Sequence, residues 1–200
     1  ARAIDSAVHR RWISLTKVIS SVSDRSLHKL DGQVGAALLV GTAQLLLFDR
    51  IPDHAIIHES VDWIKKESNH PRSAGFVNAV LRSIARIRGE LTPNGSHDNP
   101  YHFLRRDGSA WALETPVFED DVSAQFGFSQ KSWSRLLEVC SEEEAEHIGL
   151  NSLVEPPIII ACPVETPLPE DVEPHSIQGF GVVRTGLSLP ELVSSSNVRI

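Results

Sequence analysis

Methionine is absent from all 200 residues. The string therefore reads as a piece of a longer chain, or as one whose methionines were carried in a modified form and are not written in it. Cysteine occurs only at Cys140 and Cys162, too few for the disulfide frameworks of small secreted domains, so a reducing cytoplasm is the expected compartment. A basic excess is also lacking: the formal net charge is −7, which excludes a chain that could coat a polyanion with its whole surface. The longest apolar stretch, Val34 to Phe48, is interrupted by Gly35, Gly41, Thr42 and Gln44 and falls short of the roughly 18 apolar residues of a membrane span. The first residues have none of the basic, apolar and small-residue order of a signal peptide. No internal repeat occurs.

What is present is enough apolar material for a core, at 41% hydrophobic residues, and an uneven division of charge. Residues 1–90 carry 13 Lys and Arg against 9 Asp and Glu, whereas residues 91–200 carry 6 against 17. The first half can face phosphate and the second, taken whole, cannot. A locally basic face suffices for RNA, because counterion release depends on the phosphates contacted and not on overall charge.

Apolar residues recur at helical spacing through the first half. Residues 2–22 read as one amphipathic helix, with Ile4, Val8, Trp12, Leu15 and Ile19 on its apolar side and Arg10, Arg11 and Lys17 as its basic edge. Asp31-Gly32 turns the chain into a second helix, Gln33 to about Phe48, predicted to be the buried centre. In it Ala37 and Gly41 stand one turn apart and allow a neighbouring helix to approach closely. Pro52 ends that helix and Asp53 is expected to cap a third, His54 to about Ser68. Ser73 is expected to cap a fourth, which carries Phe76, Val77, Val80, Leu81, Ile84 and Ile87 and stops at Gly89. Four helices on short connections predict a bundle over 1–90.

Periodicity then fades. Pro93, Asn94, Gly95, Asn99 and Pro100 suggest a linker over residues 91–124. A small α+β subdomain is predicted over 125–200: a helix after Ser129, a second opened by a Ser141/Glu144 capping box, and strands at Pro156–Pro163 and Gly179–Val183. The fold class is thus mainly α, a helical bundle followed by a linker and a small α+β part.

The run Gly75-Phe76-Val77-Asn78-Ala79-Val80-Leu81-Arg82, placed after Leu39-Val40-Gly41-Thr42-Ala43-Gln44-Leu45-Leu46-Leu47-Phe48-Asp49-Arg50-Ile51-Pro52, resembles the NusB-like fold. That all-helical RNA-binding module is found in the NusB antitermination factor and at the front of bacterial rRNA cytosine-5 methyltransferases of the Sun/Fmu type. The continuation Ser83-Ile84-Ala85-Arg86, and the later order of a helical pair, Asn151, Glu155-Pro156-Pro157 and a strand, are similar to the methyltransferase branch. The resemblance implies an N-terminal part, with the first helices of the NusB-like fold expected before Ala1, that holds ribosomal RNA for an S-adenosylmethionine-dependent catalytic domain. This chain has no Asp-x-Cys-Ala-Ala-Pro-Gly-Gly-Lys-like segment, so no catalytic residue and no cofactor is expected within it. The alternatives are a stand-alone antitermination-type RNA-binding adaptor and a purely structural protein-interaction bundle.

Arginine binds phosphate oxygens bidentately, which makes Arg10, Arg11, Lys17, Arg72, Arg82, Arg86 and Arg88 the candidate RNA contacts. Cys140 and Cys162 sit in apolar patterns and read as small buried hydrophobes rather than nucleophiles. His54, His58 and Asp62 share a helix face without a His-Glu-x-x-His pattern, and a solvated polar face explains them better than a metal site. The four tryptophans, Trp12, Trp63, Trp111 and Trp133, are expected to pack in cores rather than stack on bases.

Overall fold

The computed structural model describes residues 2–154, 156–161, 168 and 172–183, and the chain divides into two compact units, Ala1–Val154 and Glu155–Ile200. The first is mainly helical. The basic amphipathic segment forms α1 (Arg2–Arg10) and α2 (Trp12–Ser21) rather than one helix. The break is shallow: Arg11 sits at φ −105°, ψ 14°, yet hydrogen bonds still cross it, from Arg11 N to Ala7 O and from Leu15 N to Arg11 O.

The next helix, α3 (Gly32–Leu47), is capped by Asp31, whose carboxylate accepts from Gln33 N at 2.9 Å. It packs against α4 (Asp53–Glu67) and α5 (Ala74–Ile87), and the predicted close approach occurs at Gly41. A Cβ added there would lie 2.8 Å from Leu81 Cδ1 on α5 and 3.1 Å from Ser60 Oγ on α4. Leu38, Leu46, Ile64, Leu81 and Ile84 have no exposed surface at this junction, and bury the apolar area that holds the bundle together.

Two capping expectations differ from what forms. Pro52, not Asp53, is the residue before α4, and the Asp53 carboxylate turns to Arg88 instead. Ser73 makes no side-chain cap, because a 3-10 turn over Pro71–Ser73 already leads the backbone into α5.

Residues 91–124, expected as a linker, instead build structure on the bundle. Strands β1 (Arg88–Thr92), β2 (His102–Leu104) and β3 (Ala110–Leu113) form an antiparallel sheet in the order β1-β3-β2. Trp111 stands opposite both Leu91 and Phe103. Phe103, Leu113, Val117 and Phe118 join the core of the helices. The strands are three to five residues long, too short for a periodic signal, and the Pro, Asn and Gly residues that suggested a linker are the turns between them. One turn carried a signal that the linker reading passed over. Asp107-Gly108 closes β2 onto β3, with Gly108 at φ 82° and Asp107 accepting from Ser109 N and Oγ; Asp-Gly supplies the positive φ that tight hairpins need.

A 3-10 segment, Val122–Phe126, ends at Gly127, φ 83°, and leads to α6 (Gln130–Leu137) and α7 (Glu142–Leu153). The Ser141/Glu144 capping box forms as predicted. Phe126 is the anchor here: Trp133 stacks on it at 5.1 Å, and Gly149 lets α7 lie against its ring, where a Cβ would come within 2.7 Å of Phe126 Cγ.

In the second unit β4 (Ile158–Ala161), β5 (Val172–Pro174) and β6 (Phe180–Val183) pair antiparallel in the order β4-β6-β5. Both predicted strands fall on described strands, β4 and β6. Cys162, Pro163 and residues 184–200 lie outside the described residues. Among those described, no helix is long and apolar enough to cross a membrane.

Candidate nucleic-acid interface

Helix α5 places the best-formed cationic surface. At 100° per residue its apolar positions Val77, Val80, Leu81, Ile84 and Ile87 fall on one side and are buried. Arg82 and Arg86, one turn apart, are left on the other and are exposed. Among the described residues each is held by a neutral neighbour on its own helix: Arg82 Nε donates to Asn78 Oδ1 at 3.1 Å, and Arg86 Nη2 to Ser83 Oγ at 3.4 Å. Arg72 is exposed in the turn before the helix. No Asp or Glu occurs between Glu67 and Glu90, so Arg72, Arg82 and Arg86 have no acidic neighbour along this stretch, and their guanidinium forks are shaped for phosphate.

Arg25 extends the surface and was not among the predicted contacts. Its guanidinium lies 5.0 Å from the centre of the Phe76 ring, on the flank of α5 away from Asn78 and Arg82. Nothing in the local pattern around Arg25 signals that contact, because the loop and Phe76 are 51 positions apart in the chain.

The other predicted contacts are employed elsewhere. Arg11 is 4% exposed; its Nη2 donates to Gln125 O at 3.3 Å and its guanidinium lies 4.7 Å from the Phe103 ring centre. Burial without a carboxylate partner pulls its pKa down to about 9. Arg88 is mostly buried against Trp111 and binds Asp53 at 2.7 Å. Lys17 donates to Asp120 at 2.8 Å, and Arg10 Nη1 to Val154 O at 3.2 Å. A signal for the two buried arginines was present in the spacing. Arg11 follows Ile4 by seven residues and precedes Leu15 by four, and Arg88 follows Leu81 by seven and Ile84 by four, so each sits on the apolar stripe of its own segment.

Further expectations resolve elsewhere in the fold. Trp12 and Trp63 are 48% and 41% exposed, not core residues, because each stands at the margin of its helix's apolar stripe. Trp111 and Trp133 do pack. Cys140 is only partly buried, its thiol donating to Leu136 O at 3.1 Å. Asp62 binds Lys66 at 2.9 Å, which lowers the aspartate pKa and raises that of the lysine. His58 is exposed beside Glu59. Among the described residues no group of three or more His, Cys, Asp or Glu side chains is arranged to hold a metal ion.

Comparison with known families finds a NusB family domain at residues 1–86, which ends on the arginine-bearing turn of α5. No curated protein matches the chain.

Proposed function

We propose that this chain holds structured ribosomal RNA through the arginine face of α5, for an S-adenosylmethionine-dependent rRNA cytosine-5 methyltransferase whose chemistry is carried outside residues 1–200. The observation that carries the RNA reading is the coincidence of the NusB family domain with an acid-free helix whose Arg82 and Arg86 reach solvent and pair with no carboxylate among the described residues. Guanidinium groups on a rigid helix seat phosphates without ordering a loop on binding. Arg72 and Arg25 would widen the contact on either flank.

The methyltransferase assignment rests on the sequence resemblance and on the segments C-terminal to the bundle. A free-standing antiterminator of this fold would end near Gly89. Here the sheet and α6–α7 continue the same compact unit to Val154, and after it come the Pro-Pro pair and strand in the order of the methyltransferase branch. The described residues do not fit the cofactor: no glycine-rich loop joins a strand to a helix among them. The roles proposed for the described residues are those of binding and positioning.

The test is filter binding of the chain to rRNA fragments at several salt concentrations, together with reading the coding sequence beyond Ile200. Salt-dependent binding supports the RNA role and its absence overturns it. A glycine-rich cofactor loop and a Pro-Cys motif downstream support the methyltransferase, and a stop codon favours the stand-alone adaptor.

A further inference from the structure

Arg72 shares its turn with a titratable group. His70 opens the 3-10 turn Pro71–Ser73, its carbonyl accepting from Ser73 N at 2.9 Å, so that His70 and Arg72 are held in one piece of backbone. The His70 ring crosses to the start of α3, where its Nε2 lies 2.9 Å from Asp31 Oδ2. Asp31 Oδ1 is already the cap of α3, and one turn position on, Gln33 Oε1 accepts from Asn69 N at 2.9 Å. These two contacts pin the turn to the helix end. Only the one through His70 can change its charge.

The geometry survives that change. A neutral imidazole with its proton on Nε2 donates to the carboxylate, and an imidazolium donates the same bond. The pair carries one negative charge in the first state and none in the second, and histidine moves between them in the range of about pH 5 to pH 8. Two residues from Arg72, an unneutralised carboxylate opposes phosphate and a neutral pair does not. The other charged or titratable groups on the elements around the pair are Lys65, Lys66 and Glu67 at the end of α4, Arg72 in the turn, and His28 and Lys29 in the turn before α3. Lys66 is taken by Asp62 and His28 by Ser26 Oγ. Among the described residues, Asp31 is the group within ion-pair distance of His70.

Resting on the RNA reading above, we propose that the His70–Asp31 pair is a proton-linked control at the edge of the arginine surface: the chain holds RNA more tightly when His70 carries its second ring proton. The coupling runs both ways, because linked equilibria are reciprocal, and bound phosphate favours that proton by the same factor.

The experiment is filter binding of the full chain to an rRNA fragment, at one low salt concentration, on the acid and alkaline sides of the histidine range. One charge beside the phosphates predicts affinity about threefold higher on the acid side. His70→Gln still donates to Asp31 but does not titrate; it should lose that gain in acid and match the parent in alkali. Asp31→Asn keeps a side-chain oxygen for the cap of α3 and should bind about threefold more tightly than the parent in alkali. Glu143→Gln, which removes an exposed carboxylate from α7, should not. His28 is common to every variant, so its own titration cancels in these comparisons. In the NMR spectrum the titration midpoint of the His70 ring should move to higher pH when RNA is added, and this decides the matter if a variant does not fold. An equal loss of affinity by His70→Gln on both sides makes His70 a plain contact and overturns the proposal. So does Asp31→Asn binding no tighter than the parent, or a His70 midpoint that RNA leaves in place, with the RNA reading standing in each case. No binding at either pH overturns the RNA reading and this proposal with it.

Discussion

The Arg88 guanidinium lies 4.4 Å from the centre of the Trp111 ring, and both side chains end on the last turn of α3: Arg88 Nη1 donates to Leu45 O and Trp111 Nε1 to Leu46 O. Carbonyls at a helix C-terminus have no partner within the helix, and here the sheet supplies two donors. Arg88 also binds Asp53, and Arg105 binds Asp49 at 2.6 Å, so two arginines of the sheet hold the two aspartates that flank the α3–α4 turn. The sheet is thereby part of the bundle.

Removing this clasp should loosen the sheet and not the RNA face. Trp111→Ala is expected to cost about 3 kcal/mol, as truncation of a well-packed tryptophan does. Arg88→Ala should cost about 2 kcal/mol, because it leaves Asp53 and the Leu45 carbonyl without their donor. Urea denaturation measures both. If Arg88→Ala lowered RNA affinity with stability unchanged, Arg88 would be an RNA contact after all.

Arg82 and Arg86 should behave in the opposite way. The double change to Ala is expected to leave the melting temperature within a degree or so, since exposed substitutions are near neutral. It should reduce the slope of log K against log salt by about 2, one for each phosphate that the variant no longer neutralises. An unchanged slope would remove both residues from the interface.

Gly41 should tolerate no larger side chain. Gly41→Val places methyls where Leu81 and Ser60 already lie, and overpacking of this kind costs about 1–3 kcal/mol. A variant as stable as the parent would show that α3, α4 and α5 are not closely packed at this point.

Acid should weaken the fold in part through Glu144. Hydrogen bonds from the Ser141 backbone and hydroxyl hold its pKa below the usual carboxylate range. A group with a depressed folded pKa contributes stability that is present above its unfolded value, near 4.3, and is lost as pH falls through the folded value. Thermal melts across that window should show Glu144→Gln with the shallower acid dependence. Identical curves would mean the capping box does not persist in solution.

Arg11 predicts a dependence of the same sign at high pH. Burial lowers its pKa to about 9, so the unfolded chain keeps this proton where the native state has begun to lose it, and the group's contribution rises with pH above about 9. Arg11→Met should remove that rise. Melts of the two proteins should therefore diverge on the alkaline side, and parallel curves there would contradict the buried position.

Local chemistry is enough to read much of the fold. Apolar residues at helical spacing identify the helices and their buried sides, and Ser141 with Glu144 announces α7. Each depends on residues a few positions apart, whose geometry is set by the backbone alone. The sheet was harder to see, since strands this short are stabilised by partners across the fold and leave little pattern of their own.

Which arginines reach water was settled only by tertiary structure. Spacing places Arg11 and Arg88 on apolar stripes, but what makes those places tolerable is Gln125 and Phe103 for one and Asp53, Leu45 and Trp111 for the other. Those partners lie from 23 to 114 positions away in the chain. A helix's own sequence says which way a side chain points; the free energy of a charge there depends on the donors, acceptors and rings that distant segments bring to meet it.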